Sequence, residues 1–467
     1  MPVPLDRLRA LLGDDRVLAS EADRELYAYD ATPLLHQRPA AAVLPADAEQ
    51  VQAVIELANE EGFGLVPRGA GTGLSGASVP ADKDAVVLLF PHWNRLIEVD
   101  EENLTAWVEP GLNTLAFATA VEARGLFYPP DPGSMKVCTL GGNVAQNAGG
   151  LRGLKYGVTG DYVMGIEGFL PTGEPLRVGG KNVKDVAGYD LKRLLVGSEG
   201  TLGVFTRLLL RLIPQPRARR TLLAAYPRAV DAAATVKAII GEKIIPATLE
   251  FVDRVTLNCV EDYAHVGLPR DAESLLLMET DGHPAVVEEE ATAMARIAQA
   301  HGGQVEVAAS EADAERLKTA RRMAFTALAR LRPTTILEDV TVPRSELPAM
   351  VEDVRRIATD YGLLVGTFGH AGDGNLHPTI LCDERDPEEM HRVEQALDVL
   401  FEAAVARGGT ITGEHGVGLA KRPFFERLTA SGTLELTRRV RAAVDPNGVL
   451  NPGKILAPPV RTESLVV

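Results

Sequence analysis

The chain has 467 residues, which is more than one typical hydrophobic core serves, so two domains are expected. Its 48 lysine and arginine residues against 64 aspartate and glutamate residues give a net charge of −16, which disfavours nucleic acid and anionic membranes as partners. The three cysteines, Cys138, Cys259 and Cys382, are far apart in the sequence, which excludes a disulfide framework and an iron–sulfur cluster.

No run of residues approaches the roughly 18 apolar positions of a membrane span, so no transmembrane segment is expected. The first residues carry no long apolar segment of the secretory type. We therefore expect a reduced, cytoplasmic enzyme, and peripheral association with the inner membrane through a partner stays open.

The first glycine-rich segment, residues 67–76, follows an alternation of strand, helix and strand over residues 41–67. It contains the spacing Gly71-x-Gly73-x-x-Gly76, which resembles a dinucleotide fingerprint. That fingerprint requires a helix to begin at the glycines, whereas a strand at residues 85–90 follows here. The segment instead predicts a loop whose backbone N–H groups bind an anion without a helix.

Two more glycine-rich clusters follow, at residues 129–150 and 196–203. Glycine allows a flat group to approach the backbone closely, and the amides of Asn143 and Asn147 suit a heterocycle. Three such clusters in about 140 residues indicate a long ligand that lies across several loops.

A proline-rich, basic segment at residues 213–220 indicates the domain boundary. Beyond it the pattern predicts strands at 222–226, 248–252, 274–279, 304–307, 335–340, 363–368 and 376–381. Amphipathic helices are predicted between them at 229–240, 284–300, 311–331, 345–361 and 387–407. This half therefore reads as a sheet with helices packed on it.

Two histidines flank a Gly-Asp-Gly turn between the last two strands, His370 before it and His377 after it. A later glycine-flanked loop carries Glu414 and His415. Two histidines and a carboxylate can hold a zinc-like ion and leave a position for substrate, which would free His415 to act as a base. The alternative is that these side chains make ordinary hydrogen bonds within loops.

Taken in order, the segments 67–76, 131–134, 139–150, 197–203, 370–377, 413–418 and 451–454 resemble the FAD-linked 2-hydroxy-acid dehydrogenases of the vanillyl-alcohol-oxidase and para-cresol-methylhydroxylase fold. Within that family the chain is similar to the flavin subunit of glycolate oxidase and to D-lactate dehydrogenase. The resemblance spans residues 30–456. It implies an α+β protein, in which a two-lobed FAD-binding domain is followed by an α/β cap domain and a C-terminal segment that returns to the FAD.

The implied division has four parts: a helical segment at residues 1–37, the FAD-binding domain at 38–217, the cap domain with its docking tail at 218–456, and a tail at 457–467. The residues implied to bind FAD are Arg68, Gly69, Ala70, Gly71, Thr72, Gly73, Asp131, Ser134, Gly141, Gly142, Asn143, Asn147, Gly203, Val204 and Asn451. The first loop contains no histidine that could tether the cofactor, so non-covalent FAD is expected.

The resemblance also implies that His370, His377 and Glu414 bind a divalent metal, with zinc as the expected ion, and that His415 is the base. Arg322 is placed to bind the substrate carboxylate, although Arg321 is adjacent and either arginine alone also suits a surface salt bridge. Residues 335–339 contain no second cation, which favours a short monocarboxylate.

The expected reaction is oxidation of glycolate or D-lactate to the 2-keto acid by hydride transfer to flavin N5. The expected acceptor is an iron–sulfur subunit, a quinone or a cytochrome, and oxygen would also fit. An FAD-dependent alkyl transferase, an NADPH-linked reductase and a non-catalytic flavin subunit are the alternatives. The complete motifs around His370 and His415 argue against them.

Overall fold

The structure is a computed structural model that describes residues 3–458. The predicted tail at 457–467 lies outside the described residues from position 459 onward. Within the described range the chain forms three sheets that carry helices, together with a short two-stranded ribbon.

The first lobe is a four-stranded sheet in the order β1-β2-β4-β3, in which β2, β4 and β3 run parallel. Its elements are α1 (Leu5–Leu12), β1 (Val17–Leu18), α2 (Glu21–Leu26), β2 (Ala41–Val43), α3 (Ala48–Glu61), β3 (Leu65–Arg68) and β4 (Val86–Leu89). The Asp47 side chain caps α3 by accepting from the Gln50 N–H, and Gly62 ends the helix in the left-handed conformation. The first glycine-rich loop therefore leaves the carboxyl end of a buried parallel strand.

The second lobe is a five-stranded antiparallel sheet in the order β5-β6-β10-β8-β9. Its elements are β5 (Leu96–Asp100), β6 (Thr105–Val108), α4 (Thr114–Glu122), β7 (Leu126–Phe127), α5 (Leu140–Gln146), α6 (Gly153–Tyr156), β8 (Val163–Phe169), β9 (Pro175–Gly179), α7 (Leu191–Leu195), β10 (Val204–Arg211) and β11 (Ile213–Pro214). The second and third glycine-rich clusters lie around α5 and after α7, so both lobes present glycine-rich segments.

The third sheet has eight strands, in the order β15-β12-β14-β13-β18-β19-β16 with β17 paired to β19. The elements are β12 (Ala218–Tyr226), α8 (Ala229–Gly241), β13 (Thr248–Asp253), α9 (Arg254–Ala264), β14 (Ser274–Gly282), α10 (Pro284–Ala300), β15 (Gln304–Val307), α11 (Glu311–Arg322), α12 (Ala324–Leu328), β16 (Thr334–Leu337), β17 (Val340–Thr341), α13 (Leu347–Asp360), β18 (Leu364–Gly369), β19 (Asn375–Cys382), α14 (Pro387–Ala406), α15 (Arg422–Leu428) and α16 (Ser431–Val444). Separate hydrophobic clusters cover the two faces of this sheet.

The segment after α16 returns to the first lobe. Leu65 N–H donates to the Val449 carbonyl at 2.7 Å, and Asn451 N–H donates to the Leu65 carbonyl at 2.6 Å. Leu450 is completely buried in the core of that lobe. Residues 449–451 therefore pair alongside β3, the strand from which the first glycine-rich loop leaves.

Several helices of the structure differ from the predicted elements or lie where none was predicted. Residues 311–331 were expected to form one helix, but the chain breaks at Met323 into α11 and α12. The glycine cluster at 139–150 contains α5, because burial of Leu140 and Val144 on one helical face outweighs the low helix propensity of its glycines. Helix α9 lies where no helix was expected, and its side chains Leu257 and Val260 are buried under the sheet.

Candidate active site

A cavity of about 880 Å³ lies where the two glycine-rich lobes meet the third sheet. The cap side chains His370, His377, Glu414 and His415 line it, together with Arg321 and Arg322. All of the residues predicted for chemistry therefore face the same space as the predicted cofactor loops. The volume is within the range of protein sites for small molecules and cofactors.

The first glycine-rich loop forms one wall of the cavity, from Gly69 to Gly73. Gly71 has a φ of +70°, and an added Cβ there would collide with the Arg68 guanidinium. Within residues 3–458 no protein acceptor takes a hydrogen bond from the backbone N–H groups of residues 70–74. Several N–H groups without partners, in a loop that lines a cavity, suit a pyrophosphate, so this wall fits the expected FAD.

The opposite wall contains residues 132–134, the start of α5 and the segment after α7. At Gly141 an added Cβ would lie 2.6 Å from the Pro110 side chain, so only glycine allows α5 to sit this close. The amide oxygen of Gln146 is buried in this wall and has no hydrogen-bond partner among residues 3–458. A buried acceptor without a partner is expected beside a polar ligand.

Eleven of the fifteen predicted FAD residues line the cavity: Arg68, Gly69, Ala70, Gly71, Thr72, Gly73, Ser134, Gly141, Gly142, Asn143 and Gly203. The other four lie behind the wall. Asp131 accepts from the Arg152 N–H at 3.2 Å, and the Asn147 side chain accepts from the Gly160 N–H at 2.8 Å. Val204 is buried in β10, and the Asn451 amide donates to the carbonyls of Ala77 and Glu199. These four side chains hold the wall rather than form its surface.

The predicted metal ligands converge at the ends of β18 and β19. His370 follows β18 directly, and His377 on β19 is paired with Phe368 across the two strands. Glu414 Oε1 lies 3.1 Å from His370 Nε2 and 3.4 Å from His377 Nε2. The three donor atoms are thus within 4.8 Å of one another, and this donor set fits a zinc-like divalent cation.

His370 and Glu414 each shift the pKa of the other. Burial acts to lower the pKa of His370, but the carboxylates of Glu250 and Glu414 outweigh it and raise that pKa well above its usual value. Burial acts to raise the pKa of Glu414, yet His370 holds it well below its usual value. In the protein alone the site is therefore a charged pair, and a bound cation would replace the proton on His370.

Asp339 fixes the loop that carries Glu414 and His415. Its Oδ2 atom accepts hydrogen bonds from the Thr412 hydroxyl at 2.7 Å and from the three successive N–H groups of residues 413–415 at 2.8 to 2.9 Å. Its Oδ1 atom accepts from the Asn375 amide at 2.5 Å. The completely buried carboxylate thereby determines where both side chains emerge.

Asp339, His377 and His415 form a second group of three close donors. The oxygens of Asp339 are already occupied by the five hydrogen bonds described above, and Asp339 does not line the cavity, whereas His370, His377 and Glu414 all do. The first triplet is therefore the better candidate for a metal.

His415 stacks on His377 with 5.0 Å between ring centroids and 9° between ring planes. Burial lowers the pKa of His415 to about 4, so its ring is neutral at neutral pH. Its Nδ1 atom is buried, lies 4.0 Å from Asp339 Oδ2 and has no hydrogen-bond partner in the described part of the chain. A neutral imidazole at the cavity wall can accept a proton.

The two arginines differ in their surroundings. Arg321 is buried, its Nε–H donates to Glu250 Oε2 at 2.6 Å, and its guanidinium lies 4.6 Å from the centroid of Phe368. Arg322 is half exposed and pairs with Glu315 on its own helix. The prediction that named Arg322 stays a prediction, and the geometry favours Arg321 as the cation held at the cavity.

Sequence reasoning missed Glu250 and gave Asp339 no role. Both are charged residues within or directly after short apolar runs, residues 248–252 and 335–340, that were predicted as buried strands. A buried carboxylate requires a partner, so a charged residue in a strand predicted to be buried was the feature that could have drawn attention to both residues. The identity of the partner was not available, because His370 follows Glu250 by 120 positions.

Among the residues that the structure describes, no helix is both long enough and apolar enough to cross a bilayer.

Two family models match the chain. The FAD binding domain matches residues 39–179, and the C-terminal domain of FAD linked oxidases matches residues 215–455. Glycolate oxidase subunit GlcD of Bacillus subtilis (strain 168) is 50% identical over 457 residues, which cover 98% of this chain and 97% of the relative. D-lactate dehydrogenase of Archaeoglobus fulgidus is 36% identical, with 92% of this chain and 96% of the relative covered.

Solved structures support the same fold. A p-cresol methylhydroxylase with bound substrate superposes with a TM-score of 0.81 at 19% identity and covers 97% of this chain and 96% of its own. A 4-ethylphenol oxidase from Gulosibacter chungangensis gives a TM-score of 0.79 at 20% identity, with 98% and 97% covered. These likenesses confirm the predicted fold class.

Glu199 at the cavity wall predicts a pH dependence of stability. Burial raises its pKa to about 7 from the ordinary value of 4.5, although its carboxylate accepts from the N–H groups of Val417 and Gly418. The folded protein then keeps a proton that the unfolded chain releases between pH 4.5 and 7, so this stabilisation is lost as pH rises through that window.

We therefore expect the melting temperature of Glu199→Gln, measured relative to the unsubstituted protein, to rise between about pH 5 and pH 8. Calorimetry at both pH values measures it. A difference that stays constant with pH would contradict the assignment.

Proposed function

The chain belongs to the FAD-linked oxidases, and we propose that it oxidises a short 2-hydroxy acid, glycolate or D-lactate, to the 2-keto acid with FAD as the hydride acceptor. The observation that carries the proposal is that His370, His377 and Glu414 open into the same cavity as the glycine-rich cofactor loops. The relatives named glycolate oxidase subunit GlcD and D-lactate dehydrogenase support the same class of substrate.

FAD, when bound, supplies the two-electron, hydride-accepting chemistry. The free N–H groups of residues 70–74 would hold its pyrophosphate, and the wall at Gly141, Gly142 and Asn143 would lie along the dinucleotide. No histidine lies in the first loop, which supports non-covalent binding.

A divalent metal, for which zinc is the expected ion, would be held by His370, His377 and Glu414. When bound, it supplies Lewis-acid chemistry that lowers the pKa of the substrate hydroxyl. The short distances among the three donor atoms support this assignment.

We propose Arg321 as the residue that binds the substrate carboxylate. Glu250 occupies only its Nε–H, and its two terminal nitrogens have no hydrogen-bond partner within residues 3–458, so they remain for a carboxylate. His415 would take the hydroxyl proton, because its ring is neutral at neutral pH and lies beside His377. The products are then the keto acid, a proton on His415 and reduced cofactor.

The electron acceptor and the location of the protein stay predictions. The relatives called GlcD are named as subunits, which supports a partner protein. An iron–sulfur subunit, a quinone or a cytochrome would each serve, and a partner of this kind would bring a cytoplasmic protein to the inner membrane.

The substrate class is tested by anaerobic bleaching of the flavin absorbance. We expect rapid bleaching by glycolate or D-lactate, and slow or no bleaching by L-lactate and D-2-hydroxyglutarate. A chelator should abolish the reaction, and added zinc or manganese should restore it. Absence of bleaching with every acid would contradict the proposed function, whereas bleaching that is insensitive to chelator would contradict only the metal.

The role of His415 is tested by His415→Gln. We expect FAD and metal content to be retained and turnover to fall by a factor of about 100 or more, a typical general-base contribution. His301→Gln, at the end of α10, is the control and should retain activity. Unchanged turnover in the His415 variant would remove this residue from the reaction.

The substitutions Arg321→Lys and Arg322→Lys distinguish the roles of the two arginines in substrate binding. Both keep the positive charge but remove the planar guanidinium group. We expect kcat/KM for the hydroxy acid to fall about 10- to 100-fold in the first variant, which corresponds to the loss of one charge-assisted hydrogen-bond pair. The second variant should change less than about threefold, as for an exposed salt bridge. The opposite ranking would restore Arg322 as the substrate-binding residue.

A further inference from the structure

Glu250 is a buried carboxylate that the proposed chemistry does not itself use. It lies in the middle of β13, an interior strand of the third sheet between β14 and β18, and only 1% of it is exposed. Both of its partners are distant in sequence, at 71 and 120 positions. A charged group buried in the interior of a sheet is stabilised only by specific partners. The identity of those partners therefore indicates the role of Glu250.

The first partner is a proposed metal ligand. Glu250 Oε1 lies 2.8 Å from His370 Nδ1. Because a carboxylate accepts and does not donate, this contact places a hydrogen on Nδ1 and turns Nε2 toward Glu414 and His377. Glu250 therefore fixes both the rotation of the ring and the nitrogen that faces the metal position.

The second partner is the arginine proposed to bind the substrate carboxylate. Glu250 Oε2 accepts from Arg321 Nε–H at 2.6 Å, and the ring of Phe368 lies against the guanidinium. These two contacts immobilise the guanidinium plane. Its remaining nitrogens are left at the cavity wall without a hydrogen-bond partner in the described chain.

We infer that Glu250 is a positioning residue that sets the distance between the metal position and the carboxylate-binding arginine. The inference rests on the proposed function, because it assigns the two ends of the substrate to His370 and Arg321. One rigid carboxylate in the sheet holds both groups, one on each oxygen. The hydroxyl and carboxylate of a 2-hydroxy acid are a fixed short distance apart, so two binding groups with fixed spacing suit this class of substrate.

A matched control lies on the neighbouring strand. Glu279 on β14 is also buried, and it pairs with Lys318 at 2.5 Å on α11, the helix that carries Arg321. It is directly opposite Thr248 of β13 and is not among the residues that line the cavity. Glu279→Gln thus removes a buried carboxylate from the same sheet and the same helix contact without touching the site.

The experiment compares Glu250→Gln, Glu279→Gln and the unsubstituted protein, each loaded with FAD. Zinc affinity is measured by equilibrium dialysis, which requires no turnover. We expect a 10- to 100-fold loss of affinity in Glu250→Gln, the usual effect of losing a partner of a ligating histidine, and no change in Glu279→Gln. Equal zinc binding in all three proteins, including none at all, overturns the inference.

Substrate kinetics supply the second readout. KM for the hydroxy acid should rise at least tenfold in Glu250→Gln at saturating zinc. A double-mutant cycle with Arg321→Lys should be non-additive, because both changes disturb the same guanidinium. Additive effects overturn the coupling. If the unsubstituted protein oxidises no hydroxy acid, the proposed function fails, and the zinc measurement still decides the role of Glu250.

A variant that does not fold is recognised by loss of bound FAD, and Glu250→Asp then replaces Glu250→Gln. Aspartate keeps the buried negative charge but retracts the oxygens by about 1.5 Å, one carbon–carbon bond. The same loss of zinc affinity is expected in this variant, since it is position rather than charge that Glu250 supplies. Normal zinc affinity and normal KM in Glu250→Asp overturn the inference.

Discussion

The carboxylate of Asp339 is the interaction on which the site depends. A single oxygen atom of this buried side chain holds three consecutive backbone N–H groups and one hydroxyl of the loop 412–415. A glycine-flanked loop without such an acceptor would sample many conformations. Burial acts to raise the pKa of Asp339, but the electrostatic effects of His415 and Lys421 outweigh it and lower that pKa, so the carboxylate remains ionised. Because the loop backbone is held in this way, Glu414 and His415 lie at the cavity before any ligand binds.

Two buried carboxylates orient the side chains of the candidate site. Asp339 fixes the loop that carries Glu414, and Glu250 fixes His370. Each is fully buried in or beside the sheet, where removing it would leave charged or polar partners unsatisfied. The candidate site residues lie on loops and near strand ends, whereas the carboxylates that orient them lie in β13 and in the short connection between β16 and β17.

The sequence allowed the chemical groups to be predicted, because each lies in a short local pattern. The Gly-Asp-Gly turn joins His370 to His377, and the glycine-flanked Glu414 and His415 are adjacent residues. What it did not allow was the choice between Arg321 and Arg322, since consecutive helical residues point in different directions and only the structure shows that Arg321 contacts Glu250. Similarly, helix α5 was not predicted, because glycine has a low helix propensity. In the structure, burial of Leu140 and Val144 outweighs that low propensity.

The return of residues 449–451 to β3 has a consequence for the synthesis of the protein. Residues 449–451 complete the edge of the strand from which the first glycine-rich loop leaves, and Leu450 fills the core beneath it. A ribosome releases the chain from its N-terminus, so the first lobe emerges hundreds of residues before the segment that finishes it. The edge of β3 therefore stays open on the nascent lobe until residues 449–451 have been synthesised.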